Sequence, residues 1–140
     1  ADYSVRRLPV GQVHYSTFSL WDTFRAAHPL YTMLESERST DFVNSMIRQY
    51  DYYGYLPIWQ LWGQDNYCMI GNHAVPVVVD AILKGLPGID VDKAYEAVKM
   101  SLTAPHLRLH AGGLADAIGV YHVGTELRRL VCGAVGQAFE

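Results

Sequence analysis

The 140-residue sequence is poor in charge and in long hydrophobic runs. Charged residues make up 18% of it, and its basic pairs, in "VRR" and "LRR", are too short for the clustered Lys and Arg of a nucleic-acid surface. No apolar stretch reaches the roughly 18–20 residues that span a bilayer, and the longest, "AVPVVVDAIL", is interrupted by a proline and an aspartate. We therefore expect neither a nucleic-acid partner nor a membrane span.

Cysteines are few, and repeats and targeting signals are absent from the sequence. Cys68 and Cys132 permit one disulfide but form neither a CxxC metal pair nor a disulfide framework. The opening stretch "ADYSVRRLPV" has no signal-peptide core, so we expect any export signal to lie outside this chain. Without internal repeats or linker-like segments, the length predicts one globular domain.

Hydrophobic and aromatic residues dominate instead. They account for 50% and 12% of the chain, with ten tyrosines and three tryptophans. This composition suits a site for a carbohydrate or a small molecule, because aromatic rings offer both an apolar face and a polar edge.

The apolar spacing predicts two helices in the first half of the chain. "FSLWDTFRAAHPLYTML" carries an apolar stripe at helical spacing, although Pro29 should kink or end its first part. "STDFVNSMIRQYDYYG" opens on the capping-competent residues Ser39, Thr40 and Asp41 and stops at Gly54, which predicts a helix between them.

The later segments are also predicted to be helical. "HAVPVVVDAILKG" is β-branched enough for a buried strand, yet Pro76 near its start and Lys84 and Gly85 after it are typical of helix ends. "DVDKAYEAVKMSL" should be a helix capped by Asp90 or Asp92. We expect "YLPIWQLWG" to be an extended loop, and we find no convincing hairpin. The predicted fold class is all-α, and the long aromatic loops suit an α/α toroid better than a simple bundle.

The first candidate site lies on the first predicted helix. Asp22 and Arg25 are three residues apart, so a surface ion pair is the simpler interpretation. Alternatively, Trp21 and Asp22, with Arg25 and His28 nearby, form a sugar-binding cluster. A pyranose can bind to a carboxylate through its hydroxyls and to an aromatic face through its C–H groups.

The second candidate is Asp65, which lies among Trp59, Trp62 and Tyr67. An aspartate held against aromatic rings loses solvation of its charged form, which favours the protonated acid and suits a general acid. The alternative is that Asp65 or Asn66 makes a turn and caps the following helix.

The third candidate is His73, which opens an apolar helix. A histidine there is more often a hydrogen-bonded structural residue than a ligand. No second His or Cys lies three or four residues from it, so zinc is not expected. The sequence also has no GxSxG motif for serine catalysis.

Three long stretches, within about residues 13–102, resemble one known family: "YSTFSLWDTFRAAHPLYTML", "DFVNSMIRQYDYYGYLPIWQLWGQDNYCMIGNHAVPVVVDAILKG" and "AYEAVKMSL". They closely resemble the catalytic domain of the exo-acting α-mannosidases of glycoside hydrolase family 92. The resemblance implies an N-terminal β-sandwich followed by an (α/α)6 toroid. It implies inverting, calcium-dependent removal of terminal α-linked mannose from a mannose-containing glycan by a secreted or periplasmic protein.

The resemblance also assigns roles to the candidates. Asp65 falls on the family's general acid, which is usually glutamate. Its carboxyl reaches about one methylene less far, and a misplacement of about 1 Å can cost on the order of a hundredfold in rate. Trp21 and Asp22 match the "WDT" of the family's mannose subsite, and other candidates match its surroundings less closely. The expected substrate-binding residues are Trp21, Asp22, Arg25, His28, Trp62 and His73.

The family's catalytic base and calcium ligands are not found in this sequence. Inverting hydrolysis uses two carboxyl groups about 6.5–9.5 Å apart, and only one is identified. Residues 103–140 diverge from the family pattern, which would continue with a Tyr-Gly-Tyr-Ile-Pro passage. We therefore interpret residues 1–140 as a partial catalytic domain, with about four of the toroid's twelve helices.

A partial toroid should leave apolar faces exposed, and we expect self-association through them. We expect the chain alone not to hydrolyse mannosides. Two alternatives stay open. One is a non-enzymatic sugar-binding or structural α-helical module, and the other is a different α/α-toroid hydrolase that acts on glucosides.

Overall fold

The structure, a computed structural model, describes residues 5–66, 68–69 and 71–103. This part of the chain is mostly helical with one small sheet, which confirms the all-α prediction. The expectations for residues 104–140 lie outside the described residues. The elements are α1 (Leu20–Thr23), α2 (Ala27–Leu34), α3 (Ser36–Tyr53), β1 (Gln60–Leu61), β2 (Gln64–Asp65), α4 (Ala74–Leu83) and α5 (Val91–Thr103).

The break in the first predicted helix lies before Pro29, not at it. α1 ends at Thr23 and α2 begins at Ala27. Pro29 is the third residue of α2, where a backbone N–H has no partner within the helix. The missing N–H of proline therefore costs the helix nothing, and the expected kink at Pro29 was wrong.

The long helix α3 begins earlier than predicted and ends where predicted. It starts at Ser36, directly after Glu35, whose backbone is not helical. Ser39 lies inside the helix, so it is not a cap. At the other end, Gly54 adopts a φ of 82° and its N–H bonds the Tyr50 carbonyl at 2.7 Å. Glycine closes the helix because it enters this left-handed conformation without a steric cost.

A β-hairpin with a two-residue turn replaces part of the predicted extended loop. β1 and β2 are antiparallel, with Gln60 opposite Asp65 and Leu61 opposite Gln64. The turn residues Trp62 and Gly63 have φ values of 53° and 73°. Positive φ at both central residues is what a tight hairpin turn requires. The prediction of no hairpin was wrong here because tryptophan gives no turn signal.

The helices α4 and α5 match their predictions. Pro76 lies in the first turn of α4, which is helical despite its valines. Of the two residues predicted to cap α5, Asp90 makes the capping bond, because its Oδ1 accepts the Lys93 N–H at 3.1 Å. No helix of the described part combines the length and hydrophobicity needed to cross a membrane.

The core forms where α4 packs against α2, α3 and α5. Its fully buried apolar residues include Leu20, Met46, Val78 and Ala97. In contrast, Leu30, Met33 and Leu34 on α2 and Leu83 at the end of α4 are exposed. The predicted exposed apolar surface is therefore present. Below, we call these four residues the α2–α4 patch.

Candidate functional site

Three residues paired across neighbouring backbone segments, here called the row, bring the segment before Trp21 close to Asp65. Phe18, just before α1, forms an antiparallel bridge with Gln60, which pairs on its other edge with Asp65. All three side chains are buried. Residues paired across strands point to the same face, so the row sets the segment leading to Trp21 beside the hairpin that carries Asp65.

The Asp65 carboxylate fixes the base of the hairpin. The side chain is 6% exposed. Its Oδ2 accepts the backbone N–H of Ile58 at 2.6 Å and of Trp59 at 3.1 Å. Asp65 therefore ties β2 to the loop that precedes β1, and it stays inside the fold because these donors replace lost water contacts.

The turn suggested by the sequence belongs to Asn66. Its Oδ1 accepts the N–H of Cys68 at 3.0 Å, two residues ahead, which is an Asx turn. Neither Asp65 nor Asn66 caps α4, because the N-cap residue of that helix is His73, which makes no side-chain capping bond. The capping alternative was therefore wrong.

His73 lies in a stack of rings beside α1. It is stacked on Phe24 with ring centroids 4.2 Å apart, and the edge of Trp21 meets it at 5.1 Å. A Cβ added to Gly71 would lie 2.7 Å from the His73 Nε2. The sequence therefore needs a glycine two residues before the histidine, because the imidazole occupies the space of a side chain there.

The surroundings of the His73 imidazole favour its neutral form. Burial lowers its pKa below the ordinary value of 6.5, and the nearby positive charge of Arg25 lowers it further. Its Nε2 is buried and has no hydrogen-bond partner within the described residues. A neutral imidazole beside Trp21 supports the position of the indole ring without adding charge to the site.

The expected ion pair between Asp22 and Arg25 does not form. The Ser19 hydroxyl donates to Asp22 Oδ2 at 2.5 Å, and Arg25 Nη2 donates to the Trp21 carbonyl at 3.1 Å. The hydroxyl lies one turn before the carboxylate and competes for it. Asp22 and Trp21 are both exposed, so a carboxylate and an aromatic ring face solvent together.

His28 packs in the core. Its ring lies 5.9 Å from that of Phe42, 5.8 Å from that of Tyr31 and 6.3 Å from that of Phe18. Burial lowers its pKa below 6.5. Its contacts are those of a structural residue, and they do not join it to the ring stack at His73.

Trp62 is at the tip of the hairpin with 84% of its surface exposed. The turn beneath it is anchored, because the Tyr53 hydroxyl donates to the Gly63 carbonyl at 2.9 Å. Sequence reasoning did not identify Ser19, Phe24 or Gly71 as partners of the site. Only the spacing from Ser19 to Asp22, a capping-type interval, could have indicated one of them.

The described residues include no carboxylate-rich cluster for a cation. Across residues 5–66, 68–69 and 71–103, no three His, Cys, Asp or Glu side chains group to hold a metal ion. We therefore assign none of these residues to the calcium that the resemblance implies.

The comparisons with known proteins agree with the sequence resemblance. A profile of the glycosyl hydrolase family 92 catalytic domain matches residues 2–125. The family GH92 α-mannosidase BT3965 from Bacteroides thetaiotaomicron is 42% identical, with a TM-score of 0.66 over 69% of this chain and 13% of its own. Its complex with mannoimidazole gives the same values. The inverting mannosidase BT2199 from Bacteroides thetaiotaomicron VPI-5482 is 42% identical, with a TM-score of 0.57 over 61% and 12%. No curated protein matches the chain.

The helical fold and these matches define the chain as part of a glycoside hydrolase. It belongs to glycosyl hydrolase family 92. The solved relatives are consistent with the described helices being part of a helical toroid. The chain spans 13% of the length of BT3965.

Proposed function

We propose that this chain supplies the acid side of a site that removes terminal α-linked mannose from glycans. The observation that carries the proposal is the row of Phe18, Gln60 and Asp65, which sets the segment leading to Trp21 and Asp22 beside a carboxyl group. The substrate class is supported by two solved relatives that are named mannosidases, one of them bound to mannoimidazole.

In the proposed reaction, Asp65 acts as the general acid. It gives its proton to the glycosidic oxygen while the bond from that oxygen to C1 of mannose breaks. Because Oδ2 accepts two backbone N–H groups, the side chain is held in place while it gives up this proton. Such proton transfer typically contributes about 10²–10⁴-fold to the rate.

Trp21 and Asp22 hold the sugar. The exposed indole offers a face for the C–H groups of the pyranose, and the carboxylate accepts from its hydroxyls. His73 and Arg25 position the indole, the first through ring contact and the second through the Trp21 carbonyl. His28 contributes to the core and not to sugar binding.

The other half of the reaction needs groups outside the described residues. In an inverting mechanism a water attacks C1 from the opposite face and loses its proton to a second carboxylate, about 6.5–9.5 Å from the acid. We place this base and the calcium in a complete protein of the family, and we derive no step through the metal. We also propose export to the periplasm or beyond.

A second function, sugar binding without turnover, is favoured by one observation. Asp65 is deeply buried and bonded to two amides, which describes a structural carboxylate as well as an acid. The two functions differ in whether Asp65 can protonate a leaving group.

Anion rescue separates these functions. Azide can replace the water and its base by attacking C1 directly, while the departing oxygen still needs a proton. With a methyl α-mannoside, whose leaving group is poor, we expect no hydrolysis by this chain alone, with calcium or with a chelator. Added azide should give slow formation of mannosyl azide, detected by mass spectrometry.

The control is Asp65→Asn, which keeps an oxygen for the two amides but has no acidic proton. Azide product that disappears in this variant supports the proposal. Mannose binding by calorimetry with no azide product supports the binding module. Hydrolysis without azide, abolished by Asp65→Asn, would show that the chain contains a base and would overturn the predicted inactivity.

A further inference from the structure

Trp62 combines three features that the fold does not explain. It is a large apolar side chain with 84% of its surface in solvent. Its φ of 53° belongs to the left-handed region, where Gly, Asn or Asp is favoured and a bulky side chain is strained. It also lies at the tip of the hairpin that carries Asp65. Strain of this kind concentrates at ligand-binding sites.

The turn that carries Trp62 is held from three sides. The Tyr53 hydroxyl binds the Gly63 carbonyl, and Asp65 binds the amides of Ile58 and Trp59. The bridge to Phe18 holds the outer edge of β1. The indole is thus presented to solvent from a fixed base, and little conformational entropy is lost when a ligand stacks on it.

Trp21 and Trp62 lie in different directions from Asp65 along the paired backbone. From Asp65, the paired residues Gln60 and Phe18 lead across the strands to the segment before Trp21. Trp62 lies instead along β1, at the tip of the hairpin. At a strand rise of about 3.3 Å per residue, its Cα lies about 7 Å beyond Gln60. A general acid stands between the sugar that is cleaved off and its leaving group.

We propose that Trp62 is a stacking platform for the sugar on the leaving-group side of the scissile bond. The ligand is a hexopyranose that presents a C–H face to the indole. A single exposed ring recognises a pyranose face but reads few hydroxyls, so it favours disaccharides over monosaccharides without selecting one linkage. This inference rests on the proposed function, since it takes Asp65 as the acid and Trp21 as the mannose platform.

The test follows the indole N–H signals of Trp21, Trp59 and Trp62 by NMR, assigned with Trp→Phe variants. Methyl α-mannoside should shift the Trp21 signal and leave that of Trp62 in place. An α-linked mannobiose should shift both and bind about three- to tenfold more tightly, the range expected of one aromatic contact. Trp62→Asn should remove that gain without lowering the melting temperature, because Asn tolerates positive φ. Leu61→Asn, on the same hairpin, should retain the gain.

The outcomes separate the two proposals. If Trp21 responds and Trp62 does not, or if Trp62→Asn binds mannobiose as tightly as the unaltered chain, the stacking platform is wrong and the mannose subsite stands. A Trp62 signal that moves with methyl α-mannoside also overturns it, since the ring then belongs to the mannose subsite. If no indole responds to either sugar, the mannose subsite fails and the platform fails with it.

Discussion

The His73 ring occupies the space that a side chain at position 71 would need. Gly71 has a φ of 88°, and an added Cβ would lie 2.7 Å from His73 Nε2. The stack of His73 on Phe24 and Trp21 is set by this missing side chain. The sequence showed the glycine and the histidine but not the contact, because close packing between residues two apart depends on a backbone turn that no periodicity reveals.

Gly71→Ala should therefore cost more than strain alone. A left-handed φ costs an alanine about 1–2 kcal/mol, and overpacking the ring should add about 1–3 kcal/mol. The measurement is the free energy of unfolding by urea. Gly85→Ala is the matched control, since Gly85 has a φ of 72° and open space around it. Equal losses in the two variants would show that the imidazole moves away freely.

The hairpin and the helix ends show how much of the fold could be predicted. Gly54 ends α3 as expected, because one residue type is strongly favoured where the backbone turns left-handed. The start of α3 was missed, since Glu35 provides no side-chain capping bond. The hairpin was missed because Trp62 occupies a turn position that normally identifies itself by Asn or Gly.

The candidate site could be predicted in its residues but not in its partners. Asp65 and Trp21 were expected near a sugar, and the structure sets their segments side by side through the bridge from Phe18 to Gln60. That bridge joins distant parts of the chain, and no local pattern indicates it. The unexpected Ser19 partner of Asp22 shows the same limit over a shorter distance.

Removal of the Asp65 carboxylate should loosen the hairpin. In Asp65→Ala the buried N–H groups of Ile58 and Trp59 lose their acceptor, and each unsatisfied group costs about 1–3 kcal/mol. Hydrogen exchange at these two amides should accelerate, as measured by NMR. Asn66→Ala, which removes only the bond from Cys68, should accelerate exchange at Cys68 and leave Ile58 protected. Unchanged protection at Ile58 in Asp65→Ala would contradict the assignment.

Three half-buried or buried histidines give the whole domain a common pH dependence. Burial lowers the pKa of His14, His28 and His73 below 6.5, and a neighbouring Arg lowers those of His14 and His73 further. The unfolded chain therefore binds more protons than the folded chain just below pH 6.5. The neutral histidines cost no stability above this pH.

The free energy of unfolding should fall as the pH drops through about 6.5 toward the lower folded-state pKa values. The measurement is chemical unfolding between pH 7.5 and about 5, where histidine is the side chain that ordinarily titrates. His28→Phe, which removes one proton-binding group, should show a shallower fall than the unaltered chain. Parallel curves would mean that His28 does not contribute to the dependence.

The α2–α4 patch should drive self-association of the chain. Leu34 and Met33 are each 70% exposed, and Leu30 lies on the same helix. Burying such side chains contributes about 25 cal/mol per Å². We expect the sedimentation coefficient to rise with concentration, and Leu30→Ser with Met33→Ser to suppress the rise. The control is the pair Val91→Ser and Met100→Ser on α5, which should leave the rise in sedimentation coefficient unchanged. If both pairs of substitutions suppress the rise equally, the self-association does not run through the α2–α4 patch.

The two-residue turn at Trp62 and Gly63 has a consequence for how this gene can change. Side chains alternate along a strand and a one-residue turn cannot close a hairpin, so loss of one codon between Leu61 and Gln64 would shift the pairing by one residue and turn Asp65 to the opposite face of the hairpin. Its carboxylate would leave the amides of Ile58 and Trp59, although no residue type had changed. A gained codon can instead be absorbed by a longer turn, with the pairing of Gln60 and Asp65 unchanged. Descendants of this sequence should therefore accept an insertion at the tip more readily than a deletion.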